Sequence, residues 1–304
     1  MNYSMKADLH IHSSYSNDAE FDIPELIQLC HKNGVDIFSI TDHNCIGGSR
    51  EAKRLISDHE AMRFIPGIEI DCNFKGTDLH LLGIQVDLES EDFDELERNN
   101  RQKHLDAVPR MAENLAKLGI DLDLEELMLK SGGEPPSGEL FAELLLQKAE
   151  YASNPRLAPY LPGGERSDMP LINFYLDFFA QGKPAYVKIE HMEFAEAIDL
   201  ISSNGGIPIV AHPGLNLKGR EERVNELMDA GAAGLEVFNN YHDLRQVEYF
   251  ADLCRRRNAL VTCGSDFHGK NKPLISIGQY RNTEAFADYL TKSLSRILEG
   301  KPNK

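Results

Sequence analysis

The sequence lacks the segments that mark membrane and secreted proteins. No run approaches the roughly 18 continuous apolar residues of a membrane-spanning helix. The N-terminal MNYSMKADLHIH has no basic segment followed by an apolar stretch, so a secretory signal is not expected. Trp is absent, and the five Cys are odd in number and form no C-x-x-C pair. These features argue against a disulfide framework and predict buried, reduced thiols in a cytoplasmic protein.

Positive charge is also scarce, because 32 Lys and Arg face 49 Asp and Glu and leave a net charge of −17. Binding long duplex nucleic acid needs a broad basic surface, so this class of partner is not expected. A small phosphorylated substrate stays compatible with the acidic chain, because bound cations can reverse the charge locally. The 304 residues, 41% of them hydrophobic, are sufficient for one large domain or two ordinary ones.

The chain alternates strand-type apolar runs with amphipathic helical patterns in two separate blocks. The first block extends from about residue 6 to 87, and the second begins near PAYVKIE and ends at about residue 266. Between them the strand-type runs stop, and helical patterns with Pro/Gly-rich joints such as GGEPPSG replace them. This organisation predicts an α/β, barrel-like domain of residues 1–98 and 183–304, interrupted by a mostly helical inserted subdomain of residues 99–182.

Histidines and carboxylates recur at the ends of the predicted strands. His10 and His12 stand two residues apart on a strand, so their side chains share one face. Residues just past the carboxyl ends of parallel barrel strands converge on one face, where active sites lie. The residues expected to meet there are His10, His12, Asp42, His43, Glu69, His80, His212, Asp266 and His268.

Such a set predicts a metal centre, because buried ionisable groups are costly without partners or a metal. Imidazoles and carboxylates without thiolates favour Mn²⁺, Zn²⁺ or Fe²⁺ over a structural cysteine-zinc site. The donors exceed what one ion can hold, so we expect two or three ions with Glu69 as a bridge. Clusters of this kind generate hydroxide from bound water and clamp phosphoryl oxygens.

The motifs, taken in order, resemble those of the PHP (polymerase and histidinol phosphatase) superfamily. They are D-L-H-I-H (8–12), T-D-H (41–43), P-G-I-E (66–69), His80, A-H-P-G (211–214) and G-S-D-F-H (264–268). The resemblance covers about residues 1–86 and 185–270. Within the superfamily, the chain is most similar to stand-alone phosphoesterases that act on nucleotides or short 5′-phosphorylated RNA. The resemblance implies a distorted (β/α)7 TIM-like barrel, the PHP fold, with a helical insertion and a trinuclear metal site.

The resemblance also implies a ligand set for each ion. The first ion would be held by His10, His12, Glu69 and Asp266, the second by Glu69, His80 and His212, and the third by Asp18, His43 and His268. The family usually has S-D-G after the H-x-H motif, whereas this chain has S-N-D-A. Strict spacing puts Asn17 in the ligand position, and a one-residue insertion puts Asp18 there. We favour Asp18, because a carboxylate is the better ligand for a divalent ion.

The candidates for substrate-binding cations are Lys188, Arg166 and Arg156, which follow or lie within the helical stretch. Glu236 ends another predicted strand and is a candidate either for a supporting role behind the ligands or for a plain barrel-lining carboxylate. The remaining histidines are assigned to helix surfaces or helix caps; these are His31, His59, His104, His191 and His242.

The function that these expectations favour is that of a metal-dependent phosphoesterase. It would hydrolyse a phosphate ester of a nucleotide or short 5′-phosphorylated oligonucleotide by a metal-bound hydroxide. One alternative is a histidinol-phosphate phosphatase or another small-metabolite phosphatase. A non-catalytic metal- or phosphate-binding module is the alternative from another class, and the intact ligand set disfavours it.

Overall fold

The structure, a computed structural model, describes residues 5–56, 62–151 and 153–300. His59, assigned above to a helix surface, lies outside these residues. The first block forms a parallel sheet of β1 (Ala7–Ile11), β2 (Ile37–Ile40) and β3 (Arg63–Phe64). Two helices, α1 (Ile23–Lys32) and α2 (Gly47–Leu55), connect these strands. The Asp22 carboxylate accepts a hydrogen bond from the Glu25 N–H and so fixes the start of α1.

A second sheet contains six strands, in the order β6, β4, β5, β7, β8, β9. Their bounds are β4 (Gly67–Phe74), β5 (Thr77–Ile84), β6 (Met192–Glu193), β7 (Ile207–Val210), β8 (Gly234–Phe238) and β9 (Leu260–Cys263). β5 runs antiparallel to both β4 and β7, and the other pairs are parallel. The reversal occurs at Lys75 and Gly76, which both adopt positive φ. Residues 184–190, where the alternation was expected to resume, form no strand.

Backbone contacts beyond the strand ends join the two sheets into a ring. On one side, Asp266 N–H donates to His10 O (2.9 Å) and His12 N–H donates to Phe267 O (3.1 Å). On the other side, Glu69 N–H donates to Asp42 O at 3.1 Å. Seven strands therefore follow one another around a barrel: β1, β2, β4, β5, β7, β8 and β9. The predicted α/β class is confirmed, and the ring differs from a regular (β/α)7 barrel because a tight turn, and not a helix, joins β4 to β5.

The barrel has two apolar clusters; the smaller lies against α1 and α2, and the larger lies beneath the remaining outer helices. These helices are α7 (Phe194–Ser203), α8 (Pro213–Asn216), α9 (Val224–Asp229), α10 (Leu244–Arg257) and α11 (Ala287–Leu298). Phe194, Phe238 and Phe250 are among the fully buried side chains of the larger cluster. All five Cys are buried free thiols, as predicted.

The helical stretch has an apolar cluster of its own. Its helices are α3 (Glu91–Lys117), α4 (Leu124–Lys130), α5 (Gly138–Gln147) and α6 (Pro170–Phe178). Leu115, Phe141 and Phe174 are fully buried within this cluster. The separate core supports the proposed division into barrel and insert, although α3 passes the proposed boundary at residue 98 without a break. Among the described helices, none is long and apolar enough to cross a membrane.

The junction between β1 and β9 gives a stability prediction. A Cβ added at Gly264 would lie within 3.0 Å of both His10 Cβ and Glu236 Oε1. Gly264→Ala is therefore expected to lower the free energy of unfolding by about 2 kcal/mol or more. Denaturant unfolding followed by circular dichroism measures the change.

Gly119→Ala serves as the control, because Gly119 has a φ of +75° but open space around it. Gly119→Ala should lower the free energy of unfolding by about 1 kcal/mol, because of backbone strain alone. Equal losses in the two variants would show that the close approach at Gly264 is not a constraint on the barrel.

Candidate metal centre

The nine predicted metal ligands lie together at one end of the barrel. They fall into three groups, in each of which the donor atoms lie within 4.8 Å of one another. The groups are His10, His12, Glu69 and Asp266; Glu69, His80 and His212; and His12, Asp18, His43 and His268. We call these residues the nine-residue cluster. Their grouping matches the expected ligand sets, with His12 also reaching the third group.

The strand ends explain this convergence. His10 lies in β1 and His12 follows it, so both imidazoles point to the same side. His212 follows β7 and Asp266 follows β9, each with a positive φ that turns the chain sharply after its strand. His80 reaches the same end from the first half of β5, because β5 runs opposite to its neighbours.

Glu69 lies at the middle of the cluster and is fully buried. Its Oε2 lies 3.1 Å from the Nε2 atoms of both His10 and His12. Its Oε1 lies 3.1 Å from His80 Nδ1 and 3.2 Å from His212 Nε2. Burial by itself would raise the pKa of this carboxyl group, but His10 and His80 hold the pKa well below its usual value. The two oxygens thus face two different donor groups, as a bridging carboxylate requires.

The structure brings Asp18, and not Asn17, to the third group. Asp18 Oδ2 lies 3.1 Å from His268 Nε2 and 3.7 Å from His43 Nε2, whereas Asn17 is exposed. Burial by itself would lower the pKa of His43, but the negative charges of Glu69 and Asp18 raise it to about 10. Burial lowers the pKa of His268 to about 4, so these two imidazoles differ in protonation.

Several buried donor atoms of the cluster have no hydrogen-bond partner, which shows whether the cluster fits divalent cations. Asp18 Oδ1, His43 Nδ1, His80 Nδ1 and His268 Nε2 are buried and make no hydrogen bond. They lie near opposite charges, but without hydrogen-bond geometry. Leaving such atoms unsatisfied costs about 1–3 kcal/mol each. Nitrogen and oxygen donors of this kind are the ligands of borderline divalent ions, so the residues present fit such ions.

Asp71 belongs to the same end of the barrel and was missed by the sequence analysis. Its Oδ1 lies 3.4 Å from both His43 Nδ1 and His80 Nε2. Asp71 stands two residues after Glu69 in β4, so the alternation that paired His10 with His12 also indicates this residue. Asp42 has a different role, because its carboxylate accepts hydrogen bonds from Ser13 and Ser16 and shapes the loop after β1.

Glu236 supports the cluster from behind, as expected. Its Oε1 lies 3.0 Å from His10 Nδ1, and its Oε2 accepts a hydrogen bond from the His212 N–H at 2.8 Å. The carboxylate therefore fixes the orientation of His10, with the second ring nitrogen directed into the cluster. Through Oε2, Glu236 also fixes the backbone at His212.

Asp266 is held from behind by two residues that the sequence analysis missed. Its Oδ1 lies 3.4 Å from His10 Nε2, whereas its Oδ2 accepts hydrogen bonds from Tyr241 OH and Lys272 Nζ, each at 2.6 Å. Lys272 is only 8% exposed. Burial disfavours its charge, but Asp266 keeps the pKa of Lys272 well above its usual value. In the sequence, the only sign of Lys272 is its position four residues after the G-S-D-F-H motif, and no motif spacing assigns it a role.

The three predicted substrate-binding cations lie elsewhere. Arg166 pairs with Asp177 at 3.0 Å and Lys188 pairs with Glu190 at 2.8 Å. Arg156 is exposed. Within residues 5–56, 62–151 and 153–300, no hydrogen bond or ion pair joins any of the three to the nine-residue cluster. Their role in substrate binding stays a prediction.

The structure corrects the assignment of one remaining histidine and adds a contact to two others. His242 is buried, its Nε2 accepts a hydrogen bond from the Gly214 N–H, and its Nδ1 bonds Val237 O, so it fixes the turn after β7. His104 and His191 are partly exposed, but both also lie beside Asp71, which the surface or cap assignment did not include. His31 is exposed, as predicted. Long-range packing brings these side chains together, and sequence spacing does not show it.

The insert also contributes to this end of the barrel. Glu139 at the start of α5 is 4% exposed. Burial, together with the negative charge of Asp18, raises the pKa of Glu139 to about 7. The side chain therefore carries a proton at slightly acid pH.

The fold and the site together define an α/β barrel protein with a buried, multi-donor centre that fits divalent cations. The family model described as the PHP domain matches residues 8–153. A 5′-3′ exoribonuclease of Haemophilus influenzae is 25% identical over 281 residues, which are 89% of this chain and 95% of the relative. A 3′,5′-nucleoside bisphosphate phosphatase of Chromobacterium violaceum is 26% identical over 296 residues, which are 96% of this chain and 97% of the relative.

Solved structures agree with the fold. A structure described as an amidohydrolase of Chromobacterium violaceum superposes with a TM-score of 0.78 at 22% identity, covering 98% of this chain and 99% of the other. The match to the PHP domain model lies in the part of the chain that carries the first four motifs, and the two relatives are similar to the chain over most of its length. The names of both relatives describe enzymes that hydrolyse phosphoric esters, which is the enzyme class that the motifs predict.

Lys272→Met tests the support behind Asp266. Without the ammonium group, Asp266 loses a charged donor that directs its other oxygen toward the imidazoles, and protons compete better for the carboxylate. We expect bound metal to be held about 10- to 100-fold more weakly, as measured by competition with a chromophoric chelator. Lys270→Met is the matched control, since Lys270 is exposed and pairs with Glu143. Equal metal affinity in the two variants would contradict the positioning role.

Glu139→Gln tests the protonation of the insert carboxyl in chelator-treated protein. The folded state binds this proton more tightly than the unfolded state. Proton binding by Glu139 therefore stabilises the folded protein fully below pH 4.5, and this stabilisation is lost as pH rises through about 7. Relative to the wild type, the variant should gain stability across this range, on the order of 3 kcal/mol. Urea unfolding between pH 4 and 9 measures the difference.

Glu143→Gln, one turn further along α5, is the control for this experiment. Lys270 and Lys130 lower the pKa of Glu143 despite partial burial, so its replacement should give no gain at alkaline pH. A flat difference between Glu139→Gln and the wild type would show that Glu139 does not bind a proton as described.

Proposed function

We propose that this protein is a metal-dependent phosphoesterase that hydrolyses a phosphate ester of a nucleotide or a short 5′-phosphorylated oligonucleotide. The observation that carries the proposal is the nine-residue cluster, in which Glu69 faces two donor groups at once. A non-catalytic binding module would not need three contiguous donor groups with unpaired buried atoms.

The ions proposed for this cluster are two or three Mn²⁺, Zn²⁺ or Fe²⁺ ions, held by the three donor groups. Ions in such an arrangement supply a nucleophile at neutral pH and neutralise the oxygens of a phosphoryl group. The nine side chains serve as their ligands, and Glu236 and Lys272 fix the orientation of His10 and Asp266.

The insert supports a small substrate. Glu139 stands at the cluster from the side of the insert, and its carboxyl group holds a proton near the Asp18 group. The net charge of −17 disfavours long duplex nucleic acid. The names of the two relatives favour a nucleoside bisphosphate or a short RNA with a 5′ end as the substrate. The buried, reduced thiols support a cytoplasmic location.

Release of inorganic phosphate from a monoester, or of a mononucleotide from the dinucleotide, tests the proposal with a panel of substrates. The panel contains a 3′,5′-bisphosphonucleoside, AMP, a 5′-phosphorylated dinucleotide, histidinol phosphate and a 5′-phosphorylated long duplex, each with Mn²⁺, Zn²⁺ or Fe²⁺. We expect release from the nucleotide substrates and little from the duplex. Release from histidinol phosphate alone would favour the small-metabolite phosphatase, and no release from any compound would exclude the phosphoesterase.

Asp18→Asn and Asn17→Ala separate the two candidates for the third ligand set. Asp18→Asn removes a charged donor beside His43 and His268, so it should lower metal content by about one equivalent and activity by about 100-fold. Asn17→Ala should leave both unchanged, because Asn17 is exposed. Elemental analysis and the phosphate assay measure the two effects. Loss of metal in Asn17→Ala alone would reverse the assignment.

A further inference from the structure

Three polar side chains outside the nine-residue cluster lie together beside it. They are Asp71 in β4, His104 in α3 and His191, which precedes β6. One donor atom of each lies within 4.8 Å of the other two. His104 Nε2 is 3.9 Å from Asp71 Oδ2, and the two imidazole centroids are 6.0 Å apart. The group thus joins the barrel to the first helix of the insert.

Several contacts between the insert and the barrel hold these side chains in place. Lys103 Nζ donates a hydrogen bond to Glu190 O at 2.7 Å, which ties α3 to the residue before His191. On the barrel side, Tyr186 OH donates to Asp78 Oδ2 at 2.8 Å. The segment that carries His191 is therefore fixed on both sides, although it forms no strand. The proximity of the two histidines is built by the tertiary structure.

This group has unused hydrogen-bonding capacity, although Asp71 Oδ1 also lies 3.4 Å from His43 Nδ1 and His80 Nε2. His191 Nδ1 and Asp71 Oδ1 are buried and make no hydrogen bond. Asp71 Oδ2 accepts one hydrogen bond, from Asn44 Nδ2 at 2.8 Å, and retains a free lone pair. A carboxylate beside two imidazoles repels an anion and attracts a cation, so the group is not arranged for a phosphate.

We propose that Asp71, His104 and His191 form a further divalent-cation site beside the nine-residue cluster. Two imidazoles and one carboxylate are donors for a borderline ion such as Zn²⁺ or Mn²⁺. Three protein donors leave coordination positions for water, and the His104 side chain is 37% exposed. The ion is therefore held more weakly than those of the buried cluster and exchanges readily. This proposal does not depend on the substrate or on the reaction of the protein.

Equilibrium dialysis against rising free Mn²⁺ or Zn²⁺, followed by elemental analysis, tests the site. The double variant His104→Ala/His191→Ala should bind one equivalent less than the wild type at high free metal and the same number at low free metal. His31→Ala, which removes an exposed histidine of α1, should match the wild type throughout. Asp71 is left intact, because it also contacts His43 and His80.

Two outcomes would overturn the proposal. An unchanged number of ions at high free metal would show that the group binds none. Loss of ions already at low free metal would show that the two histidines belong to the nine-residue cluster and form no separate site. If the double variant is unfolded by circular dichroism, His104→Gln alone replaces it, and about a tenfold weaker binding of the last equivalent is then expected.

Discussion

Much of this structure depends on the burial of one carboxylate, that of Glu69. Its side chain faces imidazoles on both sides, and its backbone joins β2 to β4 through Asp42 and Asn44. A buried charge is costly unless opposite charges and hydrogen bonds surround it. The histidines that surround Glu69 must therefore be brought in from strands far apart in the chain. The same residue thus closes the barrel and organises the donor groups.

The supporting residues follow from the same constraint. Each buried donor needs a partner on the side that faces away from the cluster, and Glu236 and Lys272 are two such partners. Lys272 is buried with its charge because Asp266 and Tyr241 lie beside it. The charges are arranged in layers, with nitrogen and oxygen donors inside and charged or hydroxyl groups behind them. This arrangement orients the inner donors before any cation is bound.

The insert does more than cover one end of the barrel. It has its own apolar core, so its helices are packed against one another independently of the core of the barrel. From this base, α5 places Glu139 at the cluster and α3 places His104 beside Asp71. Buried and half-buried polar groups from two separate cores meet at their boundary, which is where ligand sites commonly lie.

The sequence by itself determined the donor types, their order and their convergence on one face, because strand alternation and barrel geometry are local or generic rules. Glu69 and His80 lie in the first halves of β4 and β5 and not at strand ends. The sequence also indicated Glu236, and the same alternation would have indicated Asp71. The tertiary structure decided between Asn17 and Asp18, because the loop after β1 turns only one of them toward His268. It alone placed Lys272 behind Asp266 and joined α3 to the barrel, since such contacts join segments whose spacing along the chain has no periodicity.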